Sequence, residues 1–236
     1  MPLAAVTGAS RGLGLALSLA LSQRGWNLVI DGRDAVVLGE ATDRLRNAGA
    51  ASVRALAGDV ADAAHRERLT AAADGVDLLV NNASSIGLSP MPRLVDYPLD
   101  ALEQVYAVNA IAPLALVQAL LPQLVARQGR VINVTSDAAV EPYPGWGGYG
   151  SSKAALEQIS AILAAEIPQL RVYAFDPGDI RTRMHQQAYP GEDISDRPEP
   201  DSVVPAMLRL VDADLPSGRF RAADLGTADL QTGAPA

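Results

Sequence analysis

The chain has no cysteine, which excludes disulfides and thiolate metal sites and fits a reducing compartment, so a cytoplasmic location is expected. It is also poor in positive charge. Nineteen Lys and Arg face 27 Asp and Glu, leaving a net charge of −8. With no basic stripe, nucleic acid is not an expected partner, because such affinity comes largely from neutralised phosphates. No uncharged run looks long enough to span a bilayer. The opening Met1 to Gly8 shows neither a basic flank nor a signal-length apolar run, so no membrane partner is expected. Of the two histidines, His65 reads as a solvated helix position and His185 as a surface position, and no metal site is expected.

The scarcest ionisable residue is the most informative. Lys153 is the only lysine, and every other cationic residue is arginine. It stands four residues after Tyr149, a spacing that puts both on one helix face with the ammonium beneath the phenol ring. A wide planar guanidinium would not substitute there for a point charge. A nearby cation lowers a phenol by about one to three units, which predicts a tyrosine able to exchange a proton with a carbonyl or alcohol oxygen. Ser136, thirteen residues upstream of Tyr149, would give that oxygen a second hydrogen bond. Hydride must then come from or go to a cofactor, since no side chain carries it. The alternative is an amphipathic helix that merely carries Tyr and Lys at helical spacing.

With 236 residues, 49% of them hydrophobic, one domain with an ample core is expected. A strand, Leu3 to Val6, runs into Thr7-Gly8-Ala9-Ser10-Arg11-Gly12-Leu13-Gly14 and then a helix to about Gln23, in which Leu13, Leu17 and Leu21 recur every four residues. Gly8, Gly12 and Gly14 allow a tight turn and close approach of a pyrophosphate, which helix-terminal amides would hold. Alternatively the loop is only a turn. The next strand, Asn27 to Ile30, ends in Asp31-Gly32-Arg33-Asp34. An acid here suits the ribose of NAD and an arginine the 2′-phosphate of NADP. Counting along the strand puts Asp31 at its end and Arg33 at the tip, so Arg33 is expected on the phosphate with Arg11 assisting, unless both are solvated surface residues.

A third strand, Ser52 to Ala57, leads to Gly58-Asp59-Val60, where Asp59 either bonds the adenine amine or caps a helix. A fourth enters Asn81-Asn82-Ala83, whose amides would line the ribose side of a cleft or simply make a turn. Pro113 has no amide hydrogen, so the carbonyl of Asn109 loses its helical partner and either holds a relay water near Lys153 or marks a plain kink. Fifth and sixth strands, Gly129 to Thr135 and Leu170 to Phe175, precede Ser136 and Asp176-Pro177-Gly178-Asp179-Ile180-Arg181-Thr182. Alternating strands and helices imply an α/β fold, a Rossmann-like doubly wound parallel sheet in three α/β/α layers, with the ligand at the carboxyl strand ends.

In this order, these motifs resemble the short-chain dehydrogenase/reductases over nearly the whole chain. The resemblance implies a NADP(H)-dependent oxidoreductase that interconverts a carbonyl and an alcohol on a small molecule, working as a homodimer or homotetramer. Tyr149 would be the acid or base, Ser136 the orienting hydroxyl and Lys153 the ribose ligand, with Asn109 holding a water. Gly8, Ser10, Arg11, Gly12, Leu13, Arg33, Asp59, Val60, Asn81, Ala83, Pro177, Gly178, Ile180 and Thr182 would meet the dinucleotide. The cofactor half would run to about residue 135, the catalytic half from 136, with a lid over about 183–200. Trp146, Tyr143, Met91 and Met184 are candidate pocket residues. Two departures stand out: Ser84, where the family usually has glycine, and a C-terminus without the usual closing glycine pair. The alternatives are a silent dinucleotide sensor, for which an intact proton path has no use, and a sugar-nucleotide epimerase, for which the chain is short.

Overall fold

Each short apolar run becomes a strand whose successive residues face opposite ways, and each sheet face buries one set. On β1 (Leu3–Val6), Ala4 and Val6 enter one core and Ala5 the other; β4 (Leu78–Asn81) divides Leu78 and Val80 from Leu79 in the same way. The computed structural model describes residues 1–226. The C-terminal stretch lacking the glycine pair lies largely outside them.

The other strands are β2 (Asn27–Gly32), β3 (Ser52–Ala57), β5 (Arg130–Val134), β6 (Arg171–Asp176) and β7 (Gly218–Arg221). Seven parallel strands stand in the order β3-β2-β1-β4-β5-β6-β7. Order reverses between β1 and β4, which opens a crevice at their carboxyl ends. Helices α1 (Gly12–Gln23) and α2 (Ala35–Asn47) cover one face, and α3 (Ala63–Ala72) the other. After β4 come α4 (Leu99–Tyr106), α5 (Ala112–Ala126) and the long α6 (Gly147–Glu166). Three shorter helices follow: α7 (Arg183–Ala188), α8 (Val204–Asp212) and α9 (Ala222–Gly226). This is the single-domain α/β architecture that the alternation predicts.

Two details depart from the sequence reading. β2 continues past Ile30 through Gly32, although Asp31, opposite Leu56, belongs to the strand as expected. From Leu99 to Ala126 the chain is one continuous helix, with mean hydropathy 1.7 in its most apolar stretch, long and apolar enough to cross a membrane by length and composition. The expectation that no such run exists is therefore corrected. Much of its apolar surface, including Leu116, Val117, Leu120 and Leu124, is buried with Val131 and Val172 of the sheet.

Candidate active site

A cleft of about 600 Å³ runs along the carboxyl strand ends, from Arg33 and Asp59 at one extreme to Tyr149 and Lys153 at the other. Its floor is the glycine loop. Gly8 and Gly12 have φ of +64° and +56°, a region costly for residues with a Cβ. Gly14 is required for packing instead: a Cβ there would lie 2.5 Å from Nδ2 of Asn82 and 2.7 Å from the Gly8 carbonyl. Asn82 donates from Nδ2 to the carbonyls of Thr7 and Gly8, while Thr7 Oγ1 accepts the amides of Asn82 and Ala83. The turns after β1 and β4 thus hold each other.

Ser10, Leu13, Val60 and Ala83 line this cleft as expected. Asn81 does not. Its side chain is buried and donates to Asn133 Oδ1 at 2.8 Å behind the sheet, because a strand's alternation turns Asn81 and Asn82 in opposite directions. Asp59 lines the cleft and accepts the Ala61 amide at 2.9 Å, whereas the α3 cap is Asp62. Arg11 and Arg33 line the cleft, and their side chains make no hydrogen bond or ion pair among the described residues. Asp34 instead caps α2 through the amides of Val36 and Val37. Asp31 points inward to His65, so the reading of His65 as solvated is wrong: it is fully buried.

At the other extreme, Tyr149 is 5% exposed and Lys153 2%. Nζ of Lys153 donates to the Val134 carbonyl at 2.7 Å and sits 5.6 Å from the centre of the Tyr149 ring. The expected acidic phenol is not what this environment produces. Burial pushes the Tyr149 phenol above its ordinary value, with the Ser136 and Ser84 hydroxyls opposing. Burial likewise lowers Lys153 to about 7, against the pull of Glu157. Ser136 donates to Oδ1 of Asp137 at 2.9 Å and accepts the Ala138 amide at 3.2 Å. Behind it, Arg219 of β7 binds Glu157 and Asp176 at 3.0 and 2.9 Å, tying α6 to two strands.

Asn109 lies in a π-helical turn, Ala107–Ile111, that inserts between α4 and α5 instead of a plain kink. Its fully buried side chain joins two elements. Oδ1 accepts the Ser85 amide at 2.8 Å and the Ser84 hydroxyl at 3.2 Å, while Nδ2 donates to the Ser85 carbonyl and Ser152 Oγ. Pro177, Gly178, Ile180 and Thr182 line the cleft, and Thr182 caps α7 by accepting the His185 amide. The 183–200 stretch begins as that helix, from which Met184 and His185 face the cleft. His185 is not a surface residue. Its side chain is 11% exposed and its ring stacks near Tyr189, 5.1 Å away. Trp146 lines the substrate end, its ring 5.8 Å from that of Tyr149; Met91 and Tyr143 do not line it. No cluster of three His, Asp or Glu among the described residues could hold a metal.

A family model described as short chain dehydrogenase matches residues 2–193. The chain belongs to the short-chain dehydrogenase family. It is 31% identical over 208 residues to the short chain dehydrogenase penD of Penicillium thymicola, covering 82% of this chain and 75% of that one. It is 34% identical over 184 residues to a serine 3-dehydrogenase of Rhizobium radiobacter, covering 75% and 71% of the two. Among solved structures, an alcohol dehydrogenase of the archaeon Thermococcus sibiricus, complexed with 5-hydroxy-NADP, superposes with a TM-score of 0.83 at 27% identity, over 94% of this chain and 95% of that one. As a short-chain dehydrogenase, this protein is an NAD(P)-dependent oxidoreductase acting on small molecules.

Its residues fit such a dinucleotide. The loop with two positive-φ glycines opens at the α1 N-terminus, where backbone amides suit a pyrophosphate, and two arginines whose side chains have no partner among the described residues stand at one end. For a short-chain dehydrogenase, Ser84 is the residue that sequence reasoning undervalued. Its hydroxyl donates to Asn109 Oδ1 at 3.2 Å and opposes the rise of the Tyr149 phenol. The signal was in the motif itself, a hydroxyl in place of a hydrogen beside the asparagine pair.

Proposed function

We propose that this short-chain dehydrogenase uses NADP(H) to interconvert a carbonyl and an alcohol, with Ser136, Tyr149 and Lys153 as its proton-transfer site and Asn109 as their support. The observation that carries the reading is the burial of the chain's single ammonium against Tyr149, in the same cleft that ends at Arg11 and Arg33. A bound nicotinamide dinucleotide supplies the hydride acceptor or donor that the side chains lack.

In the oxidising direction Tyr149 takes the alcohol proton as hydride leaves the carbon; in the reducing direction it returns that proton to the oxygen. Ser136 rotates its hydroxyl from Asp137 to the substrate oxygen and fixes it against the phenol. Lys153 spends one N–H on the Val134 carbonyl and keeps two donors for ribose hydroxyls and for stabilising the phenolate. Asn109 acts from outside the cleft, gripping the Ser85 backbone and the Ser84 hydroxyl and, through Ser152, the helix that carries Tyr149. Residues 183–200 serve as the cover of the substrate end. Trp146, Met184 and Ala188 offer it apolar contacts suited to a carbonyl compound of modest size.

The test is a screen of carbonyls and alcohols with both nucleotides, followed by nicotinamide absorbance. Turnover with NADPH or NADP that exceeds turnover with NADH or NAD supports the reading. Nucleotide binding without turnover on any substrate, unchanged in a Tyr149→Phe variant, would favour a silent sensor.

A further inference from the structure

Asp31 and His65 form a buried pair that none of the steps above uses. Their exposures are 1% and 0%. Oδ1 of Asp31 accepts the Gly8 amide at 2.6 Å, and Oδ2 lies 3.1 Å from Nε2 of His65. On the far side of the ring, a guanidinium nitrogen of Arg68 lies 3.1 Å from Nδ1. A guanidinium has donors only, so Nδ1 must accept. Nε2 therefore carries the proton and donates it to Asp31, and the imidazole is neutral. Gly58 makes the space: a Cβ there would fall 2.2 Å from Nδ1. Ring, carboxylate and glycine-loop amide are thus locked in one row.

The position of Asp31 gives this row a consequence. It lines the cleft two residues before Arg33, where an acid ordinarily accepts the adenosine ribose hydroxyls and repels a 2′-phosphate. Here both carboxylate oxygens are already engaged on the protein side. We infer that His65 is a positioning residue for cofactor specificity: by holding Asp31 against Gly8, it withholds the carboxylate from the ribose and leaves that end of the cleft to Arg11 and Arg33. The inference rests on the NADP(H) reading and adds the device that lets a chain with an acid at this strand end take the phosphorylated nucleotide.

The test compares NADPH and NADH affinities, by nucleotide fluorescence, in the full chain and three variants. His65→Leu fills the space but leaves Oδ2 free to turn to the ribose. The NADPH-over-NADH affinity ratio then falls by about tenfold or more, since a like-charge encounter costs at least that much. Asp31→Asn removes the charge while keeping an acceptor for Gly8, so the ratio holds or rises, and the double variant recovers the ratio lost in His65→Leu. A purely structural role predicts something else, equal weakening of both nucleotides with the ratio unmoved, and that result overturns the inference. A fall in the ratio for Asp31→Asn alone overturns it too, which keeps the test decisive should His65→Leu not fold. In the cofactor-free protein, nitrogen NMR of the two imidazoles finds the His65 proton on Nε2; a proton on Nδ1 instead defeats the assignment. Wild-type protein that binds neither nucleotide, or prefers NADH, defeats the NADP(H) reading itself. A wild-type preference for NADPH with an unchanged ratio in His65→Leu defeats this inference alone.

Discussion

Tyr149 and Lys153 are driven toward their neutral forms by the same burial, one pushed up and the other down to about 7. For the lysine, the folded value lies below the unfolded one of 10.5, so between these pH values the unfolded chain binds more protons and stability rises with pH. Lys153→Met removes that dependence. Its melting temperature should exceed the wild-type value most at about pH 6, with the gap narrowing toward pH 10; a constant gap would show that the ammonium bears no burial cost. The raised phenol acts above that window: past its ordinary value the unfolded chain loses a proton that the folded one keeps, and stability declines. Tyr149→Phe should abolish that decline, lower turnover by orders of magnitude and leave dinucleotide affinity nearly intact. Ser84 opposes the burial that raises the phenol, so Ser84→Ala should move the alkaline limb of the pH–rate profile to higher pH without weakening nucleotide binding. An unmoved limb would reduce Ser84 to a turn residue.

The elements were legible in the sequence where one local rule decides them. Six apolar runs bounded by polar turns gave strands in parallel order, and the Tyr-to-Lys spacing gave the helix face of α6, because both follow from backbone periodicity alone. What escaped were properties that another element imposes. The direction of Asn81 depends on pairing with β5, the burial of His65 on its seat under β2, and the phenol's shift on everything packed around α6. The π turn at Asn109 is an intermediate case: Pro113 announced a lost hydrogen bond, but not that the chain would absorb it by widening the helix. Gly150 shows the same tertiary dependence. Nothing in its neighbours in the chain demands glycine, yet a Cβ there would lie 2.5 Å from the Ala138 carbonyl, in the turn that follows Ser136. Gly150→Ala should therefore push α6 away from that turn. It should cost about 1–3 kcal/mol of stability and reduce kcat much more than nucleotide affinity, as melting and single-turnover measurements would show. Wild-type kcat would mean that the Ser136–Tyr149 geometry tolerates the shift.

At the scale of the whole molecule, the fold collects the site from distant parts of the chain: the glycine loop near residue 10, the asparagine turn near 82, Ser136, α6 and the 177–182 stretch all meet at one edge of the sheet. Composition then makes that edge chemically singular. A protein whose other cations are all arginine offers amine reagents two targets, its α-amino group and Lys153. With Lys153 lowered to about 7, much of it is a free amine at pH 8, and the cleft is its route to solvent. Acylation of protein with its N-terminus blocked should add one label, mapped to Lys153 by mass spectrometry. That label removes the cation and two donors from this end of the cleft, so activity and the affinity for NADPH should fall together, while saturating NADPH should slow the labelling severalfold. Surface charge cannot account for such protection, because no other lysine exists to be shielded. Full activity after stoichiometric modification of Lys153 would separate the lysine from the chemistry and require the proton site to be sought elsewhere in the cleft.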